Sequence, residues 1–249
     1  MVFGKMENGG VVLGMAGFGK VVYGSLEIGW MEIGKVVIFG QKKHLMNKVE
    51  LIGHYGSDET HALSAWTSTS RDYEKKKHRM PDLLKMLAEN GHHTPFEKST
   101  LHFLVTCDQA SHIHLLKHRI GVSINAESAR YKELKDDRFL IPDDWPKEVA
   151  NVLISYSDIS NKLYHKALAD LEPILGRQRA KESARFFKLM NSKITMDVSF
   201  NFRSFVHFLN LRNKEDAQKE IREIAAEMLN LVKNIPDNPF EFTLKAFNL

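Results

Sequence analysis

Three stretches of this chain concentrate groups that grip anions or move protons. His92, Thr94 and Glu97 stand within Gly91-His92-His93-Thr94-Pro95-Phe96-Glu97. His118, Arg119, Asn125, Glu127, Ser128 and Arg130 fall within thirteen residues. Asn201, Arg203, His207 and Arg212 form the third group. A guanidinium presents five fixed donors and engages a phosphate or carboxylate with two parallel bonds. Ser128 and Arg130, two apart on an expected loop, are spaced to close on one phosphate with help from backbone N–H groups. Arg203 and His207 are four apart and share a face if their segment is helical. The chemistry to expect is recognition of an anionic small molecule.

Other candidates are weaker. His114 and His118 have the four-residue spacing of a metal-binding pair on a helix, with His112 nearby. No third ligand has telling spacing, and Lys117 and Arg119 bring repelling charge, so no metal is expected. Cys107 ends an apolar run without a base beside it and reads as a packed thiol. His102 reads as a hydrogen-bonded core or interface residue. Asp136/Asp137 and Asp143/Asp144 lie in a proline-containing loop and read as turn and cap residues.

The elements that must position these groups follow from periodicity. Pro81 opens and Gly91 closes a helix over 82–90. Leu101, Phe103 and Val105 alternate with His102, Leu104 and Thr106, which predicts a largely buried strand. Helices are expected over 108–118, 146–171, 178–190, 202–211 and 214–233, the last with Ala217, Ile221, Ile224, Ala225, Met228 and Val232 at helical spacing. Lys193 to Phe200 reads as a strand with Ile194, Met196, Val198 and Phe200 on one face. Few strands among many helices, without βαβ alternation, argue an α+β fold with a small sheet packed by helices.

Composition narrows the function classes. The chain has 249 residues, 35 basic and 31 acidic side chains, and a net charge of +4. That is too mild for a chain that coats nucleic acid. A single cysteine excludes an intrachain disulfide framework and fits a reducing compartment. Ten of the 15 glycines lie in the first 40 residues, recurring every five from Gly4 to Gly34. Period five fits neither helix nor strand, so this stretch reads as a repeat outside the functional domain. Gly17-Phe18-Gly19-Lys20 lacks the further residues a phosphate loop needs. Lys20, Glu27, Glu32 and Lys35 interrupt any apolar span, and no secretory leader is recognisable, so the cytoplasm is the expected compartment, with no membrane partner. Residues 1–45 are expected to be a non-catalytic extension and 46–249 one domain.

Taken in order, the motifs resemble those of the flavin-dependent thymidylate synthase family from about Lys48 almost to the C-terminus. The resemblance is carried by His118-Arg119 followed by Ser128-Ala129-Arg130-Tyr131, and by His92-x-Thr94-Pro95-Phe96-Glu97. Glu182-Ser183-Ala184-Arg185, Asn201-x-Arg203 through His207-Phe208-Leu209-Asn210-Leu211-Arg212, and Ala217-Gln218-Lys219-Glu220-Ile221-Arg222 extend it. It implies an α+β homotetramer with active sites shared between subunits, and methylation of dUMP to dTMP. Carbon would come from methylenetetrahydrofolate and reducing equivalents from NADPH through FAD, with no enzyme nucleophile. Arg212, His92 and Ser128 would be catalytic. His114, Glu127, Ser128, Arg130, Arg185 and Arg212 would hold dUMP. Ser68, His92, Thr94, Glu97, His118, Arg119, Ile120, Asn125, Asn201, Arg203, His207 and Leu211 would line the flavin and folate region.

Departures are few. Lys117 stands where the family has an arginine, His114 where glutamine is common, and Trp66 where arginine is frequent. The eight residues between Arg119 and Ser128 are one more than the pattern, which suggests an insertion near Ala126. Two other classes compete: a nucleotide- or nucleic-acid-binding module using the same arginines without redox chemistry, and a metal-dependent hydrolase at His114 and His118.

Overall fold

The computed structural model describes residues 20–23, 26–29, 46–69 and 72–249. The chain divides into two compact units, Met1–Gln41 and Lys42–Leu249. In the first, strands β1 (Lys20–Tyr23) and β2 (Leu26–Gly29) pair antiparallel, with Lys20 opposite Gly29 and Tyr23 opposite Leu26. Within the pentad region, residues 20–23 and 26–29 therefore form short strands, the second of which includes Gly29. The Gly17-Phe18-Gly19 segment lies outside the described residues.

The second unit is built on a four-stranded antiparallel sheet in the order β3 (Lys48–Tyr55), β4 (Thr100–Asp108), β6 (Lys193–Phe200), β5 (Val122–Ala126). Val105 faces Met196, Phe103 faces Val198 and Leu101 faces Phe200, and all six are buried. The α+β architecture and both predicted strands are as expected from alternation. Strand β5 is not among them: periodicity assigns no element between Arg119 and Ser128, and only Ser128 and Arg130 are placed on a loop. Its pairing with β6 runs without a break from Val122–Phe200 to Ala126–Met196. No bulge therefore sits at Ala126 to absorb an insertion.

Nine helices are described: α1 (Asp58–Thr67), α2 (Tyr73–Lys76), α3 (Met80–Glu89), α4 (Gln109–Leu116), α5 (Lys147–Leu175), α6 (Arg177–Ala184), α7 (Phe202–Arg212), α8 (Lys219–Lys233) and α9 (Glu241–Ala246). Helix α8 begins at Lys219 rather than 214, because 213–217 close in turns, with Ala217 N–H on the Lys214 carbonyl. Helix α6 ends at Ala184 rather than 190 and passes into a 3-10 turn, Arg185–Phe187. Gly176, at φ 77°, separates α5 from α6, a conformation that favours glycine. Among the described residues, no helix is long and apolar enough to cross a membrane.

The C-terminus is pinned by a buried polar chain. Asp58 accepts the Phe242 and Thr243 N–H groups at 2.7 and 2.8 Å. A carboxylate from α1 thus caps the otherwise uncapped start of α9. Thr243 Oγ1 donates its only hydroxyl proton to Asp58, so it must accept from His61 Nδ1–H at 2.9 Å. His61 Nε2 is then left to accept from Ser99 Oγ at 2.8 Å. Burial holds the His61 pKa down to about 4.

Candidate active site

Helix α7 supplies one wall. Asn201 Oδ1 caps it by accepting the Ser204 N–H at 2.8 Å, the preferred N-cap arrangement. The turn after α4 is clamped to this cap: Ser204 Oγ donates to the Ile120 carbonyl at 2.7 Å, and Asn201 N–H to the Gly121 carbonyl at 3.0 Å. Gly121 has φ +65°, and a Cβ there would stand 2.2 Å from Asn201 Nδ2. No larger residue fits without moving the cap. The clamp fixes His118, Arg119 and Ile120 beside α7. On the helix, Arg203, His207 and Leu211 are all exposed at successive four-residue steps, so they form one row.

His118 and Arg212 meet where these walls join. Arg212 Nε donates to His118 Nε2 at 3.2 Å. Arginine can only donate, so His118 Nε2 carries the lone pair and the ring is neutral with its proton on Nδ1. Burial first, then the charges of Arg212, His207 and His114, push the His118 pKa down to about 4. Its ring meets those of His207 at 6.0 Å and Phe208 at 5.1 Å. Ile120, by contrast, is 90% exposed, an apolar side chain held out beside exposed cations.

Arg203 reaches across to Glu97 at 2.6 Å, bringing the Thr94–Glu97 turn to the same wall. That turn follows α3, which ends in a Schellman motif: Gly91 at φ 71°, His92 N–H on the Leu87 carbonyl and Gly91 N–H on that of Ala88. His92 and Thr94 are exposed beyond it. His114 contacts Gln218 at 3.1 Å. Ser68 ends α1, its hydroxyl donating to the Ala65 carbonyl.

A second cluster lies around Ser128. Ser128 Oγ accepts the Arg130 N–H at 3.3 Å, and Arg130 Nε donates to Glu182 at 2.5 Å. Arg179 meets the other Glu182 oxygen at 3.4 Å. Arg130, Arg179 and Glu182, with Gly176 and Arg177, line an open cleft of about 460 Å³. Burial tends to raise the Glu127 pKa, but bonds from Lys132 Nζ and the Thr195 N–H outweigh it and lower the value. Arg185 is exposed where α6 gives way to the 3-10 turn. Asn125 reaches Asp197 at 3.4 Å, on a sheet face where Asp197 also meets His102. His102, expected in a core or interface, is half-exposed there.

The structure thus joins Arg212, His118, His207, Ile120, Arg203 and Glu97 in one region and Ser128, Arg130 and Glu182 in another. Among the described residues, no group of three His, Cys, Asp or Glu is arranged for a metal. Reading the sequence did not single out Arg177, Arg179 or the His61 chain. His61 meets Ser99 and Thr243 and Arg177 meets Glu133, all far along the chain, so no spacing announces them. Arg179 and Glu182 are three apart on α6, a helical spacing that could have signalled the pair.

Residues 50–236 match the family model described as thymidylate synthase complementing protein. The flavin-dependent thymidylate synthase of Thermosipho africanus is 32% identical over 209 residues, covering 79% of this chain and 90% of that protein. The chain belongs to the flavin-dependent thymidylate synthase family. The enzyme of the same name from Thermosipho melanesiensis is 29% identical over 214 residues, 82% of this chain and 91% of that one. A crystal structure of the UMP/dUMP methylase PolB from Streptomyces cacaoi, bound with 5-Br dUMP, shares the fold. Its TM-score is 0.71 at 24% identity, over 81% of this chain and 94% of that one. Family membership makes the chain an enzyme and disfavours a binding module without redox chemistry. It also gives the family's motifs a physical frame here. His118-Arg119 is the turn clamped to α7, and Ser128-x-Arg130 follows the strand that carries Asn125.

Proposed function

We propose that this thymidylate synthase methylates dUMP to dTMP with carbon from methylenetetrahydrofolate and reducing equivalents from NADPH. Arg212 carries the reading. Its Nε–H is taken by a histidine that burial keeps neutral, so the guanidinium keeps its full charge in a partly enclosed site. A fixed cation there stabilises negative charge that develops on a uracil ring. Ser128, Arg130 and Arg185 hold the nucleotide phosphate and sugar, with Glu127 and His114 assisting.

No side chain acts as nucleophile. Burial and the neighbouring Asp108 push the Cys107 thiol up, which keeps it protonated. Ser128 Oγ meets the Arg130 N–H rather than a base.

The residues present suit FAD. The donors of Arg119, Arg203 and His207 and the apolar Ile120 are presented side by side, matching a ring system with polar edges and a diphosphate. His92, Thr94, Glu97, Asn125, Asn201, Leu211 and, on a separate segment, Ser68 complete that reading. When bound, FAD supplies the hydride for reduction. The protein's own task is to orient the nucleotide, exclude water and fix charge.

The resemblance to the family favours a homotetramer in which each site takes residues from more than one subunit. The test is an absorbance spectrum of the purified protein titrated with dUMP. A flavin spectrum that shifts on addition is expected; a colourless protein that takes up no FAD overturns the reading.

A further inference from the structure

Helix α5 buries Ser157, Ser160, Asn161, Tyr164 and Leu168. Its outer surface is not the polar face expected of a helix that ends in solvent. Val149, Val152, Tyr156 and Ile159 are exposed, Val152 by 64% and Tyr156 by 56%, and the half-buried Leu163 follows. The steps between them are three, four, three and four, the alternation of a coiled-coil seam. At 100° per residue the seam lies roughly a third of a turn from the buried face. It is therefore a second apolar stripe, separate from the one that packs in the chain.

The stripe is complementary to itself when run antiparallel. With Val149 set opposite Ile159 of a second copy, Val152 falls opposite Tyr156. In both pairs a first seam position meets a second, as antiparallel coiled coils require. The flank facing solvent carries Glu148, Ser155 and Lys162. In this register Glu148 stands near Lys162 of the other copy, twice by symmetry. A parallel alignment would instead set Glu148 beside Leu153 and Lys162 beside Ala167 of the other copy, leaving both charges without a partner across the seam. The other flank is occupied within the chain, where Ser160 Oγ bonds the Phe187 carbonyl.

We propose that α5 pairs antiparallel with α5 of a second copy of this chain, about a two-fold axis near Ile154. A two-fold contact uses the same patch on both partners, and this patch has the required palindrome in both apolar and charged positions. The pairing needs only two copies and does not depend on the four-subunit reading above.

Three measurements on the full chain test it. Replacing Val152 and Tyr156 together by glutamate should halve the mass seen by light scattering while helical circular dichroism is kept. Glu148→Lys should weaken association roughly fivefold, since two weak pairs become repulsive, and adding Lys162→Glu should restore it. Mixing V152C with Y156C should give an oxidised, disulfide-linked dimer more readily than either alone, with the buried Cys107 silent. An unchanged mass in the folded double variant overturns the pairing, as does a monomeric wild type or preferential V152C self-linking. If the double glutamate variant does not fold, failure of K162E to rescue E148K overturns it alone.

Discussion

His61 and His118 are buried, neutral rings whose pKa values both sit at about 4, yet their surroundings differ in kind. Both nitrogens of His61 are satisfied by core hydroxyls, and aromatic rings of Phe96, Phe202 and Phe240 pack around it. The Nε2 of His118 meets a guanidinium, and beside it Arg119, Ile120, His207 and Leu211 stand exposed. A closed network rigidifies a fold. A buried ring that opens onto exposed cations and apolar side chains is built to meet something else. A depressed pKa alone does not separate the two cases; the exposure of the neighbours does.

The sharpest test of that contrast is Arg212→Ala. It should lower kcat/KM by about a thousandfold, the scale of losing a key electrostatic group, and leave thermal unfolding nearly unchanged. His61→Ala should do the reverse. It creates a cavity and strands Ser99 and Thr243, so stability should fall by about 3 kcal/mol in urea titrations, with turnover per folded molecule retained. A large loss of turnover in a fully stable His61→Ala would break the comparison.

Acid titration comes next. Between pH 6.5 and about 4, the unfolded chain protonates each of these histidines while the folded chain does not. Their contribution is therefore whole above pH 6.5 and lost as pH falls toward 4, by up to about 3 kcal/mol for each ring. Burial raises the Asp58 pKa, which works in the opposite direction at the acid end. Urea unfolding at pH 7, 5.5 and 4.5 reads the slope, which should be shallower in a His61 variant. The smallest effect is Ser128→Ala, expected to weaken dUMP binding roughly tenfold, the value of one hydrogen bond to a charged group, with measurable activity left. Complete loss of chemistry with binding intact would revive a nucleophile at Ser128.

How much was legible depends on the range of the interactions. Alternation over 101–107 and 193–200 revealed the two central strands because one face of each is core. Helical spacing likewise revealed α8 from Ile221 to Val232. Strand β5 was hidden because Val122-Ser123-Ile124-Asn125-Ala126 is short, half-exposed and rich in small polar residues, and its partner lies 70 residues away. Strand β3 and helix α9 escaped for the same reason. In α9 the cap is an aspartate 184 residues earlier, which no local pattern can indicate.

The sequence by itself determined the family and the α+β class and nominated candidate anion-binding side chains, because motif order and hydrophobic period are written locally. Only the tertiary structure decided which of those side chains meet. It set Arg212 on His118, Arg203 on Glu97 and Arg130 on Glu182. It also separated two buried histidines that are alike in protonation. The reason is physical: a side chain's charge state and freedom depend on its neighbours in space, and those are assembled by the fold from segments far apart along the chain.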